Sequence, residues 1–95
     1  MPKLTDADVT AGLAKLPGWT RKGDTIVKSF MFETFADGIR FVDRVAAEAD
    51  RMDHHPDIDI RWTTVTMMLS THSQGGLTRK DLELAAVVDR AHTQR

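Results

Sequence analysis

The chain of 95 residues contains no cysteine, which excludes a disulfide framework, a thiolate metal site and a thiol nucleophile. Its apolar runs are only a few residues long, and no basic segment followed by an apolar stretch opens the sequence. These absences exclude a disulfide-stabilised secreted scaffold and a chain that crosses a membrane. We therefore expect a soluble, cytosolic protein that has no membrane association.

An excess of charge of either sign is also missing. Thirteen basic side chains stand against 14 acidic ones, giving a formal net charge of -1, and they are spread along the chain without blocks. This pattern argues against binding to a phosphate backbone. We expect a small-molecule ligand and no direct contact with nucleic acid. Because no repeat, low-complexity tract or linker divides the chain, residues 1–95 are predicted to form one domain.

Hydrophobic periodicity predicts the element order α-β-β-α-β-β-α. Helical spacing behind threonine caps predicts a short helix after Thr5, a main helix over 35–52 and a last helix over 79–92. Alternating apolar residues predict a strand hairpin over 19–32 and a second one over 57–70, with Trp62 continuing the third strand. The expected fold class is α+β: a four-stranded antiparallel sheet with three helices packed on one face.

Two helices carry apolar patterns that predict how they are covered. On the main helix the predicted stripe is Phe35, Ile39, Val42, Val45, Ala46 and Ala49, with Phe41 and Met52 at its margin. The last helix is apolar on most of its circumference, which is unusual for a helix with one solvated face. We therefore expect a homo-oligomer, either a dimer or a tetramer, in which a partner subunit covers this helix. Free sheet edges without proline offer a second interface.

Three of the four histidines, His54, His55 and His72, are expected to meet at one place. Pro56 disfavours helical geometry at the residue before it, so His54 and His55 lie where the main helix ends and the third strand begins. His72 follows the fourth strand. In an antiparallel hairpin the start of one strand lies beside the end of the next, so the three imidazoles are predicted to converge on one cleft. Imidazole titrates near neutrality, which indicates proton transfer or metal binding there.

Each of these groups also has a structural interpretation. A single histidine such as His54 or His55 near a helix C-terminus is more often a partner of the helix dipole or a donor to a carbonyl. Asp81, at the N3 position of its helix, is more often a cap, and Asp50 is a solvated helical carboxylate. His92, isolated at the end of the last helix, is expected to have no role. Convergence of three histidines favours a functional interpretation of the cluster.

The spacing itself is that of a known family. An acidic residue, three residues, His-His-Pro, five residues, an aromatic, nine residues, His, eight residues and Asp are matched by Asp50, His54, His55, Pro56, Trp62, His72 and Asp81. This pattern resembles the signature of the pterin-4a-carbinolamine dehydratases, whose animal members double as dimerisation cofactors of a homeodomain transcription factor. Further similar positions are Gly18-Trp19, Phe30-Met31-Phe32, Phe35, Leu69-Ser70-Thr71-His72 and Leu77. The likeness therefore covers nearly the whole chain, and the family has the same element order.

The resemblance implies dehydration of 4a-hydroxytetrahydropterin to quinonoid dihydropterin and water, after an aromatic amino acid hydroxylase has used its pterin. The pterin is the substrate, and no cofactor or metal is needed. Hydroxide is a poor leaving group, so a protonated histidine donates to the 4a-oxygen while a neutral base removes the surplus proton. His54 and His72 are the candidates for acid and base, with the assignment between them open. His55 would position the substrate or assist.

The same resemblance suggests supporting residues. Asp50 could orient an imidazole, although the family often has the longer Glu at this place. Asp81 is expected to reach from the start of the last helix toward His72. Strand-end backbone and hydroxyl groups could pair with the polar edge of a pterin. The remaining candidates for substrate binding are Pro56, Ser70, Thr71 and Ser73.

Two other classes of function stay open at this point. A zinc hydrolase could use the three histidines with a carboxylate, but adjacent side chains in extended backbone point to opposite sides and no His-Glu-x-x-His helix is present. A non-catalytic assembly or transcription partner on the same fold would explain the apolar last helix. The retained histidine set argues against a purely structural protein, and both roles could coexist.

Overall fold

A computed structural model of the protein describes residues 2–94, which form three α-helices and four strands in the predicted order. The elements are α1 (Asp6–Leu13), β1 (Thr20–Lys22), β2 (Thr25–Met31), α2 (Phe35–Met52), β3 (Asp57–Arg61), β4 (Thr64–Leu69) and α3 (Arg79–Thr93), with a short 3-10 helix, His72–Gln74, before α3. The strands of this part of the chain form one antiparallel sheet in the order β1-β2-β4-β3. The predicted α+β class is confirmed. None of the helices in residues 2–94 has the length and apolar content needed to cross a membrane.

Threonine caps fix the starts of the first two helices. The side-chain oxygen of Thr5 accepts the backbone N–H of Asp8 at 3.1 Å, and the Asp8 carboxylate accepts the N–H of Thr5 in return. The oxygen of Thr34 accepts the N–H of Asp37 at 3.0 Å. Each bond satisfies a backbone donor that the helix leaves without a partner. The cap spacings in the sequence therefore locate both helix starts correctly.

Helix α2 packs on the sheet along a stripe that is rotated from the predicted one. Its buried positions are Gly38, Phe41, Val45 and Ala49. Phe41, predicted at the margin, is fully buried, whereas Phe35 is 52% exposed and Ala46 is also exposed. The reason is Gly38, where an added Cβ would lie 3.3 Å from the side chain of Val65. The missing side chain lets the helix backbone approach the sheet on this side, which brings the Phe41 ring into the core.

The core lies between the helices and one face of the sheet. Its members from the two central strands are Ile26, Phe30, Val65, Met67 and Leu69, and those from α3 are Leu84, Ala85, Val88 and Ala91. Helix α1 covers part of the other side of α3, because a Cβ at Gly12 would lie 2.5 Å from a methyl group of Leu82. Some of the apolar surface of α3 that suggested a partner subunit is thus covered within the chain itself.

Strand β3 forms one edge of the sheet and ends earlier than predicted. Ile58 and Ile60 point to the helix side but stay 36% and 38% exposed, since no helix extends over this edge. The alternation predicts that the strand continues to Trp62, which is wrong. Trp62 has φ 54 and sits in the two-residue turn between β3 and β4, with 78% of its side chain exposed. A hairpin turn this short needs left-handed backbone, which ends the strand.

Candidate functional site

The predicted histidine segments lie at the same end of the sheet. The start of β3 is beside the end of β4, because Asp57 pairs with Met68. His54 and His55 come directly before β3, and His72 opens the 3-10 helix after β4. We call this region, defined by these three histidines and the residues that contact them, the histidine end.

The C-terminus of α2 separates the two adjacent histidines. Asp53 adopts left-handed backbone, with φ 51 and ψ 42, and the N–H of His54 then bonds the carbonyl of Ala49 at 3.1 Å. This is a common way for a helix to end, and it turns the chain sharply. As a result the side chain of His54 is only 10% exposed, whereas that of His55 is 57% exposed.

His54 enters a buried hydrogen-bond network with Asp81, Thr71 and Thr78. Its Nε2 lies 2.6 Å from Oδ1 of Asp81, whose side chain is fully buried at N3 of α3. The second carboxylate oxygen accepts the hydroxyl of Thr71 at 2.8 Å and the backbone N–H of Thr78 at 2.9 Å. The two threonine hydroxyl oxygens are 2.8 Å apart. We call these four residues the buried network.

The partner of Asp81 differs from the expected one. The sequence suggests that this carboxylate reaches toward His72, but its hydrogen bonds within residues 2–94 go to His54 and the two threonines. Because Asp81 sits on the first turn of α3, it faces both the end of α2 and the end of β4. The network therefore links the segment carrying His54 to Thr71, the residue before His72.

His55 has an exposed partner. Its Nε2 lies 2.9 Å from Oδ1 of Asp50, one turn earlier in α2, and the Asp50 side chain is 79% exposed. The shorter Asp therefore spans the distance to an imidazole. An exposed pair of this kind is screened by solvent and contributes about 0–1 kcal/mol to stability.

The other candidates for substrate binding lie in different environments. Ser73 is exposed and Ser70 and Pro56 are half-buried, while His72 is exposed on the 3-10 helix. Thr71 is buried, with 9% exposure, and its hydroxyl donates to Asp81. The side chains available to a ligand on this rim are thus those of the serines, the proline and the exposed histidines.

The sequence pattern does not distinguish Thr78 as part of the site. A threonine before a helix has an ordinary role as a cap, and the spacing to Asp81 explains both residues without further function. The signal that could have distinguished it is its position directly after an apolar residue, Leu77, which is 1% exposed. Because Thr78 is buried, the Asp81 carboxylate that bonds to it is buried as well.

The described part of the chain contains no set of side chains that could bind a metal ion. Within residues 2–94, no group of three or more His, Cys, Asp or Glu side chains is arranged to hold a metal ion. His54 has Asp81 as its carboxylate and His55 has Asp50, so the two adjacent histidines serve separate pairs.

The opposite end of the sheet has a different character, and we call it the aromatic end. The ring of His92 lies 4.9 Å from Phe30, 5.6 Å from Phe32 and 5.7 Å from Phe41, measured between centroids. The prediction that His92 is isolated is therefore wrong. A cavity of about 530 Å³ opens here, lined in part by Phe32, Arg44 and His92. None of the residues of the histidine end lines it, so cavity and candidate acid-base groups are separate.

Comparison with known proteins identifies the family. The model of the family described as Pterin 4 alpha carbinolamine dehydratase matches residues 2–91. A protein of Mycobacteroides abscessus is 57% identical over 89 residues, covering 94% of this chain and 95% of that protein. One of Nocardia farcinica is 54% identical over 86 residues, covering 90% of each. Both are provisionally named as pterin-4-alpha-carbinolamine dehydratases. The chain belongs to the pterin-4a-carbinolamine dehydratase family, whose name denotes a hydro-lyase.

Two solved structures are similar in fold to this chain. A protein of Brucella melitensis, titled a transcriptional coactivator/pterin dehydratase, superposes with a TM-score of 0.91 at 29% identity, covering 95% of this chain and 98% of that one. A pterin dehydratase-like protein, identified as a RuBisCO assembly factor in the alpha-carboxysome, gives a TM-score of 0.65 at 26% identity, covering 81% and 89%. Proteins similar to this chain thus carry names of both catalytic and assembly roles.

Proposed function

We propose that this protein dehydrates 4a-hydroxytetrahydropterin to quinonoid dihydropterin and water, as a cytosolic step of tetrahydropterin recycling. Membership of the dehydratase family supports the reaction class. The observation that carries the mechanism is the 2.6 Å contact between His54 and the buried Asp81, which gives one imidazole a fixed partner. A histidine held in this way is suited to general acid-base catalysis.

The proposed reaction needs two proton transfers and no redox partner. The bond between C4a and its oxygen breaks as the ring nitrogens push electrons toward C4a. An imidazolium donates the proton that lets the oxygen leave as water, and a neutral imidazole takes the surplus proton from the ring nitrogen. His54 and His72 fill these two roles, and each returns to its starting state by exchanging one proton with solvent.

Substrate binding is assigned to the exposed rim around the histidines. A pterin is a flat bicyclic ring with a polar edge, and Ser70, Ser73 and backbone groups of their segment offer donors and acceptors for that edge. Pro56 offers an apolar surface beside it. His55, held by Asp50, would contact the substrate or assist proton transfer. Thr71 is assigned to the buried network and not to substrate binding, because its hydroxyl donates to Asp81.

The test uses 4a-hydroxytetrahydropterin generated by an aromatic amino acid hydroxylase, with dihydropterin formation followed optically. The variants His54→Ala and His72→Ala should each fold and lose about 10²-fold or more in rate, the scale of a general acid or base. The matched control is His92→Ala at the aromatic end, whose rate per folded molecule should equal that of the wild type. Unchanged rates in the first two variants would contradict the acid-base roles.

A second candidate is a role as an assembly or transcription partner on the same fold. The two solved neighbours named for such roles favour it. The double variant His54→Ala/His72→Ala separates the two functions, since it should lose dehydratase activity and keep any partner surface away from the histidine end. If a cellular phenotype of gene deletion is rescued by this double variant, the partner role explains that phenotype. If only the wild type rescues it, catalysis does.

We also propose that the protein is a homo-oligomer joined through the free edge of β3. Ile58 and Ile60 leave apolar surface open beside backbone groups that have no neighbouring strand on that side within residues 2–94. An edge of this kind can pair with a second copy. Light scattering after size exclusion should give a mass of two or four chains, and Ile60→Lys should shift it toward one. A wild-type mass of one chain would contradict the proposal.

A further inference from the structure

The hydroxyl protons of the buried network can be assigned by counting donors. A hydroxyl group has one proton, and that of Thr71 goes to Oδ2 of Asp81 at 2.8 Å. The hydroxyl oxygen of Thr71 can then only accept in its 2.8 Å contact with Thr78, so Thr78 is the donor there. The hydroxyl bonds therefore run in one direction, from Thr78 to Thr71 to Asp81. Both threonines are buried, with 0% exposure for Thr78 and 9% for Thr71.

The same count places a proton on one nitrogen of His54. Oδ2 of Asp81 already accepts two hydrogen bonds, from the Thr71 hydroxyl and the Thr78 N–H. An ionised carboxyl group is an acceptor only, so Oδ1 accepts from Nε2 of His54 across 2.6 Å. A neutral His54 with its proton on Nε2 carries its lone pair on Nδ1. Nδ1 is thus the nitrogen that can accept a further proton.

The position of Nδ1 fits that role. Within residues 2–94, the ring of His54 makes its side-chain hydrogen bond through Nε2, and no buried side-chain nitrogen or oxygen in this part of the chain lacks a partner. Nδ1 must therefore belong to the exposed 10% of the His54 side chain. The segment that carries His54 lies at the same end of the sheet as His72, the first residue of the 3-10 helix.

We propose that Thr71 and Thr78 are positioning residues that act through Asp81 to hold His54 as the Nε2–H tautomer, so that Nδ1 takes the substrate proton. This inference deepens the proposed dehydratase function and rests on it. It assigns His54 as the base and leaves the acid role to His72. It also gives the two threonines a task beyond capping α3, since the capping box uses the N–H and the side-chain oxygen of Thr78 but needs neither the bond between the two hydroxyl groups nor Thr71.

The first test reads the tautomer directly and needs no activity. Two-bond proton–nitrogen NMR spectra of ¹⁵N-histidine-labelled protein distinguish a protonated ring nitrogen from one with a lone pair. Wild-type His54, assigned with His54→Gln, should show a proton on Nε2 and a lone pair on Nδ1. Thr71→Val removes one donor from Oδ2 while keeping the side-chain shape, and it should give a mixture of tautomers. Thr71→Ser restores the hydroxyl and should restore the wild-type pattern.

The second test measures kcat and KM for the same variants. Thr71→Val should lower kcat by about 10-fold with little change in KM, which is the lower end of the losses seen when hydrogen-bond partners of metal-bound histidines are removed. Thr71→Ser should recover most of the loss. The matched control is Thr66→Val on the solvent side of β4, the strand that precedes Thr71, where the hydroxyl contacts Ser29 at 2.8 Å. Its kcat, KM and His54 spectrum should be those of the wild type.

A second variant guards against a folding defect. Thr78→Ala breaks the hydroxyl chain from its other end, and circular dichroism reports whether either variant is folded. An Nδ1–H tautomer in the wild type, or an unchanged tautomer and kcat in both folded threonine variants, would overturn the proposal. A wild type that shows the Nε2–H tautomer but no dehydratase activity would refute the proposed reaction while leaving the positioning of His54 by the threonines supported.

Discussion

The histidine end and the aromatic end each hold one partly buried histidine, and the two rings are used differently. His54 contacts a carboxylate at 2.6 Å through Nε2, so the orientation of its ring is fixed. His92 lies among Phe30, Phe32 and Phe41, where contacts between ring faces and edges give packing. Burial alone thus says little about the role of a histidine. At the histidine end a carboxylate contacts the ring, and at the aromatic end three phenylalanine rings pack against it.

The largest effect on stability is expected at the aromatic end. Phe41 is fully buried and its ring centroid lies 4.9 Å from Phe30 and 5.3 Å from Phe32. Phe41→Ala should lower the free energy of unfolding by about 4 kcal/mol, because it removes a large ring and leaves a cavity. Denaturant titration measures the change. The dehydration rate per folded molecule should stay that of the wild type.

The control for this variant is Phe35→Ala, the same substitution at a phenylalanine that is 52% exposed. It should change the free energy of unfolding by about 1 kcal/mol at most. Equal losses in the two variants would show that the core is not centred on Phe41. A large fall in catalytic rate for folded Phe41→Ala would show that the two ends are coupled.

A smaller loss of stability with a large loss of activity is expected for Asp81→Asn. The amide oxygen can keep the two donors from Thr71 and Thr78, but the amide NH₂ then faces Nε2 of His54, which must become the acceptor. The free energy of unfolding should fall by about 2 kcal/mol with the loss of a charged hydrogen bond. The rate should fall about 10²-fold or more, because the proton moves to the wrong nitrogen. Full activity in this variant would contradict the assignment of Nδ1 as the reactive atom.

A modest effect is expected beside the aromatic end, where polar contacts join β2 and Trp19, the residue before β1, to α3. The indole N–H of Trp19 donates to the Asp89 carboxylate at 3.1 Å, and the same carboxylate pairs with Lys28 at 2.9 Å. Trp19→Phe keeps most of the apolar volume and removes the donor, which should cost about 1 kcal/mol in thermal or chemical unfolding. The catalytic rate should not change. A cost near zero would mean that Lys28 alone satisfies Asp89.

The smallest effect is expected for Asp50→Asn, the exposed counterpart of the Asp81 variant. Because the His55–Asp50 pair is mostly solvent-exposed, its loss should change the free energy of unfolding by about 0.5 kcal/mol or less. High salt should reduce even that difference, since it screens exposed charges. A loss as large as that of Asp81→Asn would mean that Asp50 is covered in solution, for example by a second copy of the chain.

The sequence predicted the fold well because local signals and the required layers agree. Cap spacings located the starts of α1 and α2, and alternating apolar residues located both hairpins. The orientation of α2 could not be predicted, since its six apolar stripe positions fit more than one rotation. The close approach at Gly38 decides between them, and that contact exists only in three dimensions. The turn at Trp62 was missed because an alternating pattern does not show where a strand must bend.

The sequence predicted where the candidate site lies but not which of its residues form hydrogen bonds with one another. Chain order and antiparallel pairing were enough to place His54, His55 and His72 at one end of the sheet. The partner of Asp81 depends on how α3 sits against the end of α2, which no spacing reports. The part played by Thr78 was hidden by its ordinary function as a cap. Contacts between elements far apart in sequence, such as the 27-residue separation of His54 and Asp81, need the packed structure.

The left-handed backbone of Asp53 affects which of the two following histidines can be substituted. By turning the chain between α2 and β3, it places two neighbouring identical residues in different environments: His54 is 10% exposed and contacts the buried Asp81, whereas His55 is 57% exposed and contacts the exposed Asp50. A change at position 55 meets mainly solvent, whereas a change at position 54 must satisfy three further buried groups. The left-handed backbone at one residue therefore determines that substitutions are better tolerated at position 55 than at position 54.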